Sequence, residues 1–490
     1  MLTDPLDRLA ALNRPGATSS DAPRLDIGSD VEIAGRMRED MERSFGEIVH
    51  AEGQFWRYEK TCWRPIPEHE LRLVAHAYDG AEFSTAAGEP ARVKLSKSRI
   101  DSILNEMAAL VATPDYFTET TVGINCASGF IRFDADGVPH IEPHHRNHRC
   151  RHTLRGNWSA GSVAEPPKRS LLARLVDGVF AGDLDADDKV RLIAEVAGSA
   201  ALGYATKLRQ PRAVILKGET AENGKSQILD LVRGMLPGSA IASVTAGRMG
   251  DERHIVGLVG KLLNASDELS PSSAIASDTF KAIVTGEPVQ GRDVYKSRVE
   301  FRPQAQHLFA TNTLPVFQGG MDRGVQRRLL VVSFNRVIPP EERIEAIGQR
   351  IGQEEPDLLL GWAVDGASRL IRQKGFTTPS TSKIVMNDWL FGADPVLAWV
   401  AERVHSRQII DQEPRIATRI AYEHFREWAL AEGFSDRTLP SINAFVQRIT
   451  ANAAGIEYRR FRDGRFFVGM VLTAAWGANP YDRDASVTHE

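Results

Sequence analysis

The sequence predicts an α/β core in which a parallel sheet carries helices on both faces. Two apolar runs rich in β-branched residues, RAVILKG at 212–218 and LLVVSF at 329–334, have the composition of buried parallel strands. The run SQILDLVRGML at 226–236, which follows the first of them, has the apolar spacing of a helix. Strands that alternate with helices are typical of βαβ units, and this pattern extends over 209–345.

Length and composition limit the class of protein. A chain of 490 residues, 42% hydrophobic and 25% charged, has an ordinary soluble composition and room for about three domains. The sequence lacks both a membrane-length apolar run and a signal peptide, so we expect a cytoplasmic protein that does not bind membranes. Three scattered cysteines, Cys62, Cys126 and Cys150, exclude a disulfide framework. The net charge of -4 confines any contact with nucleic acid to local basic patches.

Composition and periodicity divide the chain into successive segments. In the first folded unit, SDVEIAGRMREDMERSFGEIVH at 29–50 has helical spacing behind a serine cap, FWRYEKTCWRPI is typical of a hairpin, and GFIRF is typical of a strand. The expected order is a tail at 1–28, an α+β unit at 29–165, a helical collar at 166–208, the core at 209–345, a helical segment and linker at 346–385, a last unit at 386–475 and a tail at 476–490.

The segment GETAENGKS between the first core strand and its helix is typical of a phosphate-binding loop. It ends in Gly-Lys-Ser, although five residues separate Gly218 from Gly224 where the usual pattern has four. Strand, glycine-bounded loop and helix together point backbone N–H groups at phosphate oxygens. In this frame Lys225 reaches the β- and γ-phosphates and the Ser226 hydroxyl ligates Mg²⁺. The residues expected to bind the nucleotide are Gly218, Glu219, Thr220, Ala221, Glu222, Asn223, Gly224, Lys225 and Ser226.

Two further apolar strands end in polar residues suited to nucleotide hydrolysis. GKLLNASDELS at 260–270 closes on Asp267 and Glu268, of which one would hold Mg²⁺ and the other would polarise the attacking water. We take Asp267 as the metal ligand. QHLFATNTLP at 306–315 closes on Asn312, whose amide can orient that water.

Three arginines precede the last core strand. The segment MDRGVQRRLLVVSF contains Arg323, Arg327 and Arg328. Arginine is the residue that stabilises charge on a transferring phosphoryl group, so these three are candidates for that role, although we expect at least one of them to belong to a solvated face.

The order of these motifs resembles the superfamily 3 helicases, above all the helicase half of phage and plasmid primases and the poxvirus nucleoside triphosphatase-primase. The resemblance covers about 207–337 and includes NGKS, NASDEL, TGE, GR and TNTLP. Those proteins are AAA+ ring ATPases, usually hexamers, that pull single-stranded DNA through a central pore. The resemblance implies an AAA+ fold, ATP and Mg²⁺ as cofactors, Lys225 and Ser226 at the nucleotide and metal, Asp267 and Glu268 as the acidic pair, Asn312 as sensor, and Arg328, or else Arg327, as a finger on a neighbour's ATP.

The segment PVQGRDVYKSRVEFRP at 288–303 predicts two short strands around DVYKS. Arg292, Tyr295 and Lys296 lie near its turn. In the family, the matching hairpin projects into the pore, where a lysine beside a ring grips the DNA backbone. A cation for phosphate and a ring for base or sugar suit sequence-independent binding of a single strand.

The α+β unit resembles the domain that precedes the ATPase in the same proteins. Its layout matches at Asn125, Gly129 and Pro143-His144. Asp134 and Asp136 are either a polymerase-type metal pair or, as we favour, the turn of a hairpin. The histidine-rich stretch is either a zinc site or, as we favour because its spacing fits no usual zinc finger, a basic segment that faces DNA or has a structural role. The residues concerned are His140, His144, His145, His148, Cys150 and His152.

The last unit predicts helix, helix and hairpin, with Asp463-Gly464 at the hairpin turn. That order suits a winged helix. The hairpin could contact DNA or dock a protein, and its charge comes from Arg459, Arg460, Arg462 and Arg465.

Together, these features predict an ATP-dependent DNA helicase or translocase that replicates a phage, plasmid or integrated element. The expected partners are single-stranded or forked DNA and identical subunits in a hexamer, in a bacterial or phage-infected cell. We also expect a separate primase or polymerase, because the upstream stretch to about Val49 has no room for a primase domain. Two alternatives are a primase-helicase that uses Asp134 and Asp136, and an initiator or loader that binds DNA without unwinding it.

Overall fold

A computed structural model describes most of the chain. The described residues are 24–118, 120–162, 165–267, 269, 274–292, 298–318, 320–406, 414–434, 436 and 439–473, with the backbone alone for 391–393. They form two compact units, 1–315 with 327–380 and 316–326 with 381–490, and each is described by itself. Within the described ranges, no helix has both the length and the apolar character needed to cross a bilayer.

The first part of unit 1 combines three helices with small antiparallel sheets. The helices are α1 (Asp30–Phe45), α2 (Glu68–His76) and α3 (Lys97–Leu110). The strands are β1 (Ile48–Ala51), β2 (Gln54–Glu59) and β3 (Cys62–Pro65) in one sheet, β4 (Glu82–Ser84) and β5 (Pro90–Arg92) in a hairpin, and β6 (Gly123–Cys126), β7 (Gly129–Phe133) and β8 (Pro139–Glu142) in another sheet. The 55–66 hairpin and the 129–133 strand are confirmed. The predicted helix behind Ser29 is confirmed only as far as Phe45, because Gly46 ends it at φ of +79° and the expected last residues to His50 begin β1 instead.

Asn125 ties this part of the unit together. It is 4% exposed, its Nδ2 donates to the His152 carbonyl at 2.8 Å, and its Oδ1 lies 2.9 Å from His144 Nδ1. Gly129 has φ of +153°, and a Cβ there would lie 2.6 Å from the Glu142 carbonyl oxygen. The Asn125 amide is therefore a buried bridge between strands and loops, and Gly129 permits two strands to approach closely.

The second part of unit 1 contains the five-stranded parallel sheet. Its helices are α4 (Leu171–Val179), α5 (Ala186–Leu202), α6 (Lys225–Met235), α7 (Glu252–Ile255), α8 (Ser277–Thr285), α10 (Ile347–Glu354) and α11 (Pro356–Gln373). Its strands are β9 (Ala213–Lys217), β10 (Ile241–Ala242), β11 (Leu263–Ser266), β12 (Val289–Arg292), β13 (Arg298–Phe301), β14 (Gln306–Thr311) and β15 (Leu329–Ser333).

The sheet order is β10-β11-β14-β9-β15, and every neighbouring pair is parallel. The prediction of an α/β core with a parallel sheet flanked by helices is confirmed at this level. Strands β9 and β15 are almost wholly buried, as their β-branched, apolar composition requires. β12 and β13 form a separate antiparallel hairpin.

Small residues let α5 and α11 approach closely. A Cβ at Gly366 would lie 2.0 Å from the Ala194 carbonyl oxygen, and one at Gly198 would lie 2.4 Å from the Ala367 nitrogen. Two helices that touch through their backbones bury a continuous apolar surface behind the sheet.

A lysine is fully buried where α5 meets the end of β15. The Lys189 ammonium lies 2.6 Å from Asp183 Oδ2 and 3.5 Å from Asp185 Oδ1. It also donates to the carbonyl and the hydroxyl of Ser333, at 3.0 and 3.1 Å. The charge is thus paired and hydrogen-bonded, which is the condition for burying it without a large penalty.

Unit 2 combines helices with two small sheets. Its helices are α9 (Arg323–Gln326), α12 (Ser380–Ala393, which starts at the unit boundary), α13 (Pro395–Arg403), α14 (Thr418–Ala431) and α15 (Ile442–Asn452). Its strands are β16 (Val404–Ser406), β17 (Arg415–Ala417), β18 (Glu457–Phe461), β19 (Gly464–Val468) and β20 (Met470–Leu472), in sheets β17-β19-β18 and β16-β20.

The predicted order of helix, helix and hairpin in unit 2 is confirmed, but the position of the hairpin turn is not. Phe461 pairs with Gly464, so the two turn residues are Arg462 and Asp463. The expected Asp463-Gly464 turn is therefore wrong by one residue. Gly464 has φ of +146° and begins the returning strand.

Candidate functional site

The loop between β9 and α6 is shaped by two glycines. Gly224 has φ of +86° and precedes the first residue of α6, and a Cβ there would lie 2.4 Å from Val179 Cγ1. A Cβ at Gly218 would lie 2.2 Å from Asn223 Nδ2. Neither position has space for a side chain, which explains why the loop is bounded by glycine despite its extra residue.

Lys225 lies inside the loop with its ammonium held by neutral oxygens. It is 8% exposed, and its Nζ donates to the Gly218 carbonyl at 2.9 Å and to Asn223 Oδ1 at 3.0 Å. Burial lowers the pKa of this ammonium. Asn223 in turn donates to the Thr220 carbonyl at 2.6 Å and braces the loop. A buried cation whose contacts carry no formal charge favours an anionic ligand such as a phosphate.

The two glutamates of the loop are neutralised from outside it. Lys217 Nζ lies 3.1 Å from Glu219 Oε1. Arg343 donates to both oxygens of Glu222, at 2.7 and 2.6 Å, while Glu222 has φ of +63°. Their carboxylates therefore present little unpaired negative charge to a phosphate. No sequence pattern identifies Arg343 as this partner, because 121 residues separate it from Glu222.

A cavity of about 670 Å³ lies beside the loop, at the carboxyl ends of β9, β11 and β14. Ligands of open α/β sheets bind at this edge. The cavity brings together the predicted Lys225, Ser226, Asp267 and Asn312, although they come from three separate stretches of sequence. Its lining is Ala221, Glu222, Asn223, Gly224, Lys225, Ser226, Gln227, Asp267, Leu269, Ala310, Thr311, Asn312 and Thr313.

Asp267 is paired with an arginine that sequence reasoning missed. Arg233, on α6, contacts both Asp267 oxygens at 3.0 and 3.2 Å, and it also donates to the Ala265 carbonyl at 3.1 Å. Its guanidinium thereby links the helix after the loop to the end of β11. No local pattern marks this residue, because the pair joins different elements. The other predicted acid, Glu268, lies outside the described residues.

The arginines at the start of β15 lie at the opposite edge of the sheet. The Arg328 carbonyl accepts from Ala213 N at 2.8 Å, where β9 begins, whereas the phosphate-binding loop follows the end of β9. At about 3.3 Å per residue, β9 separates these edges by about 15 Å. Arg327 is exposed and Arg328 is 9% exposed. Neither lines the loop cavity of its own chain.

The predicted DNA-binding hairpin is present as two strands. Arg292 ends β12 and is exposed, opposite Arg298 of β13. Arg298 also pairs with Glu252 at 3.3 Å. Tyr295 and Lys296 lie outside the described residues, so their role stays a prediction.

Asp134 is part of a hairpin turn, as favoured from the sequence. Its Oδ1 accepts from the backbone N–H groups of Asp136 at 3.0 Å and Val138 at 2.8 Å. Bonds of this kind stabilise the charged carboxylate, and they lower the pKa of Asp134. The side chain thus serves the link between β7 and β8.

The histidines at 140–152 have separate partners. His148 stacks on Phe130 at 3.9 Å, His144 contacts Asn125, and His152 Nε2 lies 2.8 Å from the Gly260 carbonyl oxygen. Burial lowers the pKa of His152 to about 4. Across the described ranges, no group of three or more His, Cys, Asp or Glu side chains has a geometry that could hold a metal ion.

Comparisons with known proteins give limited similarity. Residues 216–328, from the end of β9 to the start of β15, match a family of unknown function, DUF5906. No curated protein matches the chain.

Three solved apo structures of the NrS-1 C-terminal region are similar to this chain. One is 16% identical with a TM-score of 0.37, covering 64% of this chain and 77% of that one. An A-form structure is 13% identical with a TM-score of 0.39, covering 89% and 99%. Another A-form structure is 15% identical with a TM-score of 0.33, covering 63% and 77%.

Proposed function

We propose that this chain is an ATP-dependent DNA helicase or translocase of the superfamily 3 type, which serves the replication of a phage, plasmid or integrated element. The supporting observation is the cavity that Lys225, Ser226, Asp267 and Asn312 share at the carboxyl ends of adjacent parallel strands. A buried ammonium, a helix-starting hydroxyl, a carboxylate and an amide are the groups that hydrolysis of a nucleoside triphosphate requires at one edge of a sheet.

Each of these groups has a distinct role in the proposed reaction. The Lys225 ammonium and the first N–H groups of α6 bind and orient phosphate oxygens. Ser226 and Asp267 would hold Mg²⁺, which when bound neutralises charge that develops on the phosphates. Asn312 orients the attacking water, and Glu268 polarises it. Arg233, by contacting Asp267, holds that carboxylate at the end of β11.

A second cavity beside the loop is suited to the nucleobase. It measures about 430 Å³ and includes Gly224 of the loop together with the apolar side chains of Leu175, Val179, Ile338 and Ile347. Flat, largely apolar bases bind in concave apolar sites with a few polar groups at the rim. Residues before the core and after β15 would thus contribute to ATP binding.

DNA binding is assigned to the β12–β13 hairpin. Arg292 is exposed at the end of β12, and Tyr295 and Lys296 belong to its turn in the sequence. We propose that six identical subunits form a ring with these hairpins around single-stranded or forked DNA, and that a separate primase or polymerase supplies primers.

The function is tested by ATP hydrolysis with and without single-stranded DNA, and by strand separation on a forked duplex. We expect the DNA to stimulate hydrolysis and the strands to separate only when ATP is hydrolysed. Stimulated hydrolysis without separation, by an oligomer of verified size, would favour an initiator or loader. Primer synthesis by the chain alone would favour a primase-helicase.

The two arginines before β15 can be distinguished by mixing subunits. A finger that acts on a neighbour's ATP must reach the subunit surface, so exposure favours Arg327 over Arg328. Arg327→Ala should lower hydrolysis by about 10³-fold or more. Added Lys225→Ala subunits, which keep Arg327, should partly restore it.

Arg328→Ala is the matched control for this mixing experiment. We expect it to lower stability more than Arg327→Ala does, because its side chain is buried, and to gain no activity on mixing. Recovery with Arg328→Ala, and none with Arg327→Ala, would reverse the assignment.

A further inference from the structure

The β18–β19 hairpin of unit 2 concentrates positive charge that the proposed motor does not use. Arg459, Arg460, Arg462 and Arg465 are all exposed within seven residues of chain. Arg459 pairs with Glu457 at 2.6 Å. The remaining three form no ion pair with any other residue that the structure describes.

Two of these arginines oppose each other directly. Arg460 is the cross-strand partner of Arg465, and the turn between them contains Arg462. Like charges at directly opposite positions of an antiparallel pair destabilise it. An anion bound between or beside them would remove that repulsion, so the arrangement favours a ligand with several negative charges.

The arginine pair extends the face of the hairpin that packs on α15. Tyr458, two residues before Arg460, faces Phe467 with ring centroids 5.3 Å apart. Phe467 also packs against Phe445 of α15, at 6.0 Å. Because side chains two residues apart on a strand share a face, Arg460 and Arg465 point to the same side as this helix.

The exposed surface of α15 carries two amide side chains beside Ile442, and its one arginine, Arg448, is already paired with Asp394 at 3.2 Å. Asn443 and Gln447 are exposed and lie four residues apart, so they share one side of the helix, while Phe445 and Ile449 face the core. Amide side chains on a helix can form paired hydrogen bonds with the edge of adenine in a major groove. A helix that offers amides beside a hairpin that offers cations has the complementary chemistry for a base-paired duplex.

On the other face of the hairpin, an arginine already covers one face of each of two aromatic rings. The Arg415 guanidinium lies over the rings of Phe461 and Phe466, with distances of 5.2 and 4.9 Å to their centroids. The faces that it covers offer no open platform for an unpaired base, which is what single-strand binding surfaces provide. A-form RNA is also a poor fit, because its major groove is too deep and narrow for a helix.

We propose that α15 and the β18–β19 hairpin form a binding site for double-stranded DNA, in which Asn443 and Gln447 face the major groove and Arg460, Arg462 and Arg465 contact the phosphates. The helix, helix and hairpin order of this unit suits the winged-helix arrangement that such docking uses. This site belongs to unit 2, whereas the β12–β13 hairpin belongs to unit 1, and duplex binding by the site requires no ATP.

The test measures binding of a labelled 25-base-pair duplex to the full chain without nucleotide, across a salt titration. The double variant Arg460→Ala/Arg465→Ala should weaken binding on the order of 10- to 100-fold at 0.1 M salt and reduce the slope of log affinity against log salt by about two. Arg460→Lys/Arg465→Lys should keep most of the slope, because the charge is retained. The melting temperature of the alanine variant should not fall, since a repulsive pair is removed.

The matched control removes two arginines that already have partners in the same unit. Arg419 and Arg426 pair with Glu423 and Asp436, at 2.9 and 2.7 Å, so Arg419→Ala/Arg426→Ala changes the net charge equally but should bind the duplex like the wild type. Equal weakening by both double variants would overturn the proposal, as would undiminished duplex binding by Arg460→Ala/Arg465→Ala.

Two further arms identify the ligand and isolate the motor. A single strand and an RNA duplex of the same sequence should bind with an affinity that Arg460→Ala/Arg465→Ala leaves unchanged. An equal loss for all three nucleic acids would overturn the assignment to duplex DNA. Lys225→Ala should keep full duplex binding, so failure of the ATPase proposal leaves this result intact.

Discussion

Replacing Lys225 with alanine is expected to lower the rate of ATP hydrolysis by about 10²- to 10³-fold, which is the usual cost of removing one preorganised group that stabilises charge in a transition state. The ammonium is 8% exposed, and the oxygens that hold it are a carbonyl and an amide, so its charge is available to a phosphate. The measurement is steady-state phosphate release at saturating single-stranded DNA. Nucleotide affinity should fall together with the rate.

Lys217→Ala is the matched control for Lys225→Ala. It removes the same side chain from the end of β9, where the ammonium pairs with Glu219 on the outer side of the loop. We expect its rate to stay within about tenfold of the wild type, because a partly exposed pair contributes little. Similar losses in the two variants would mean that the loop needs positive charge in general. A wild-type rate for Lys225→Ala would exclude this cavity as the site of hydrolysis.

Lys189→Ala is expected to destabilise unit 1 by about 3–5 kcal/mol, the typical effect of breaking a buried ion pair from one side. Its ammonium bonds with Asp183 and with both oxygens of Ser333, and it lies 3.5 Å from Asp185. Removing the Lys189 ammonium takes away the positive charge that lies beside the buried Asp185 carboxylate. The measurement is the free energy of unfolding from urea denaturation, followed by a signal from this unit because a two-unit chain need not unfold in one step.

The control for Lys189→Ala lies two residues along the same helix. Arg191 pairs with Asp188 at 3.3 Å on the surface, with more than half of its side chain exposed. Arg191→Ala should change the free energy of unfolding by no more than about 0.5–1 kcal/mol. A comparable loss from both variants would show that the buried cluster contributes no more than a surface pair.

Local sequence sufficed for most elements of the fold. β-branched apolar runs identified β9 and β15, the serine cap and apolar spacing identified α1, and the alternation of strands and helices indicated the parallel sheet. These features depend on residues that are close in the sequence, so the pattern of residue types predicts them. The predicted turn of the β18–β19 hairpin is wrong by one residue. An Asp-Gly pair is a strong turn signal, but the strand register places Arg462 and Asp463 at the turn.

Part of the residue set of the candidate site could also be predicted from local sequence. The cavity brings together Lys225, Ser226, Asp267 and Asn312, each of which ends a strand or begins a helix in the sequence pattern. The proposed roles of these residues stay predictions until they are measured. The same holds for Glu268, Tyr295 and Lys296, which lie outside the described residues.

Pairings between residues that are distant in the sequence are visible only in the folded structure. Arg343 neutralises Glu222, Arg233 holds Asp267, and Lys189 bonds to Ser333, across 121, 34 and 144 residues of sequence. Exposure also differs between Arg327 and Arg328, which the family resemblance ranks with Arg328 first, and the choice between them stays a prediction. Residue type and spacing encode local backbone preference, whereas the partner of a charge and the solvent that reaches it depend on which elements pack together. The sequence thus predicts a phosphate-binding loop, and the tertiary packing determines which charged side chains surround that loop.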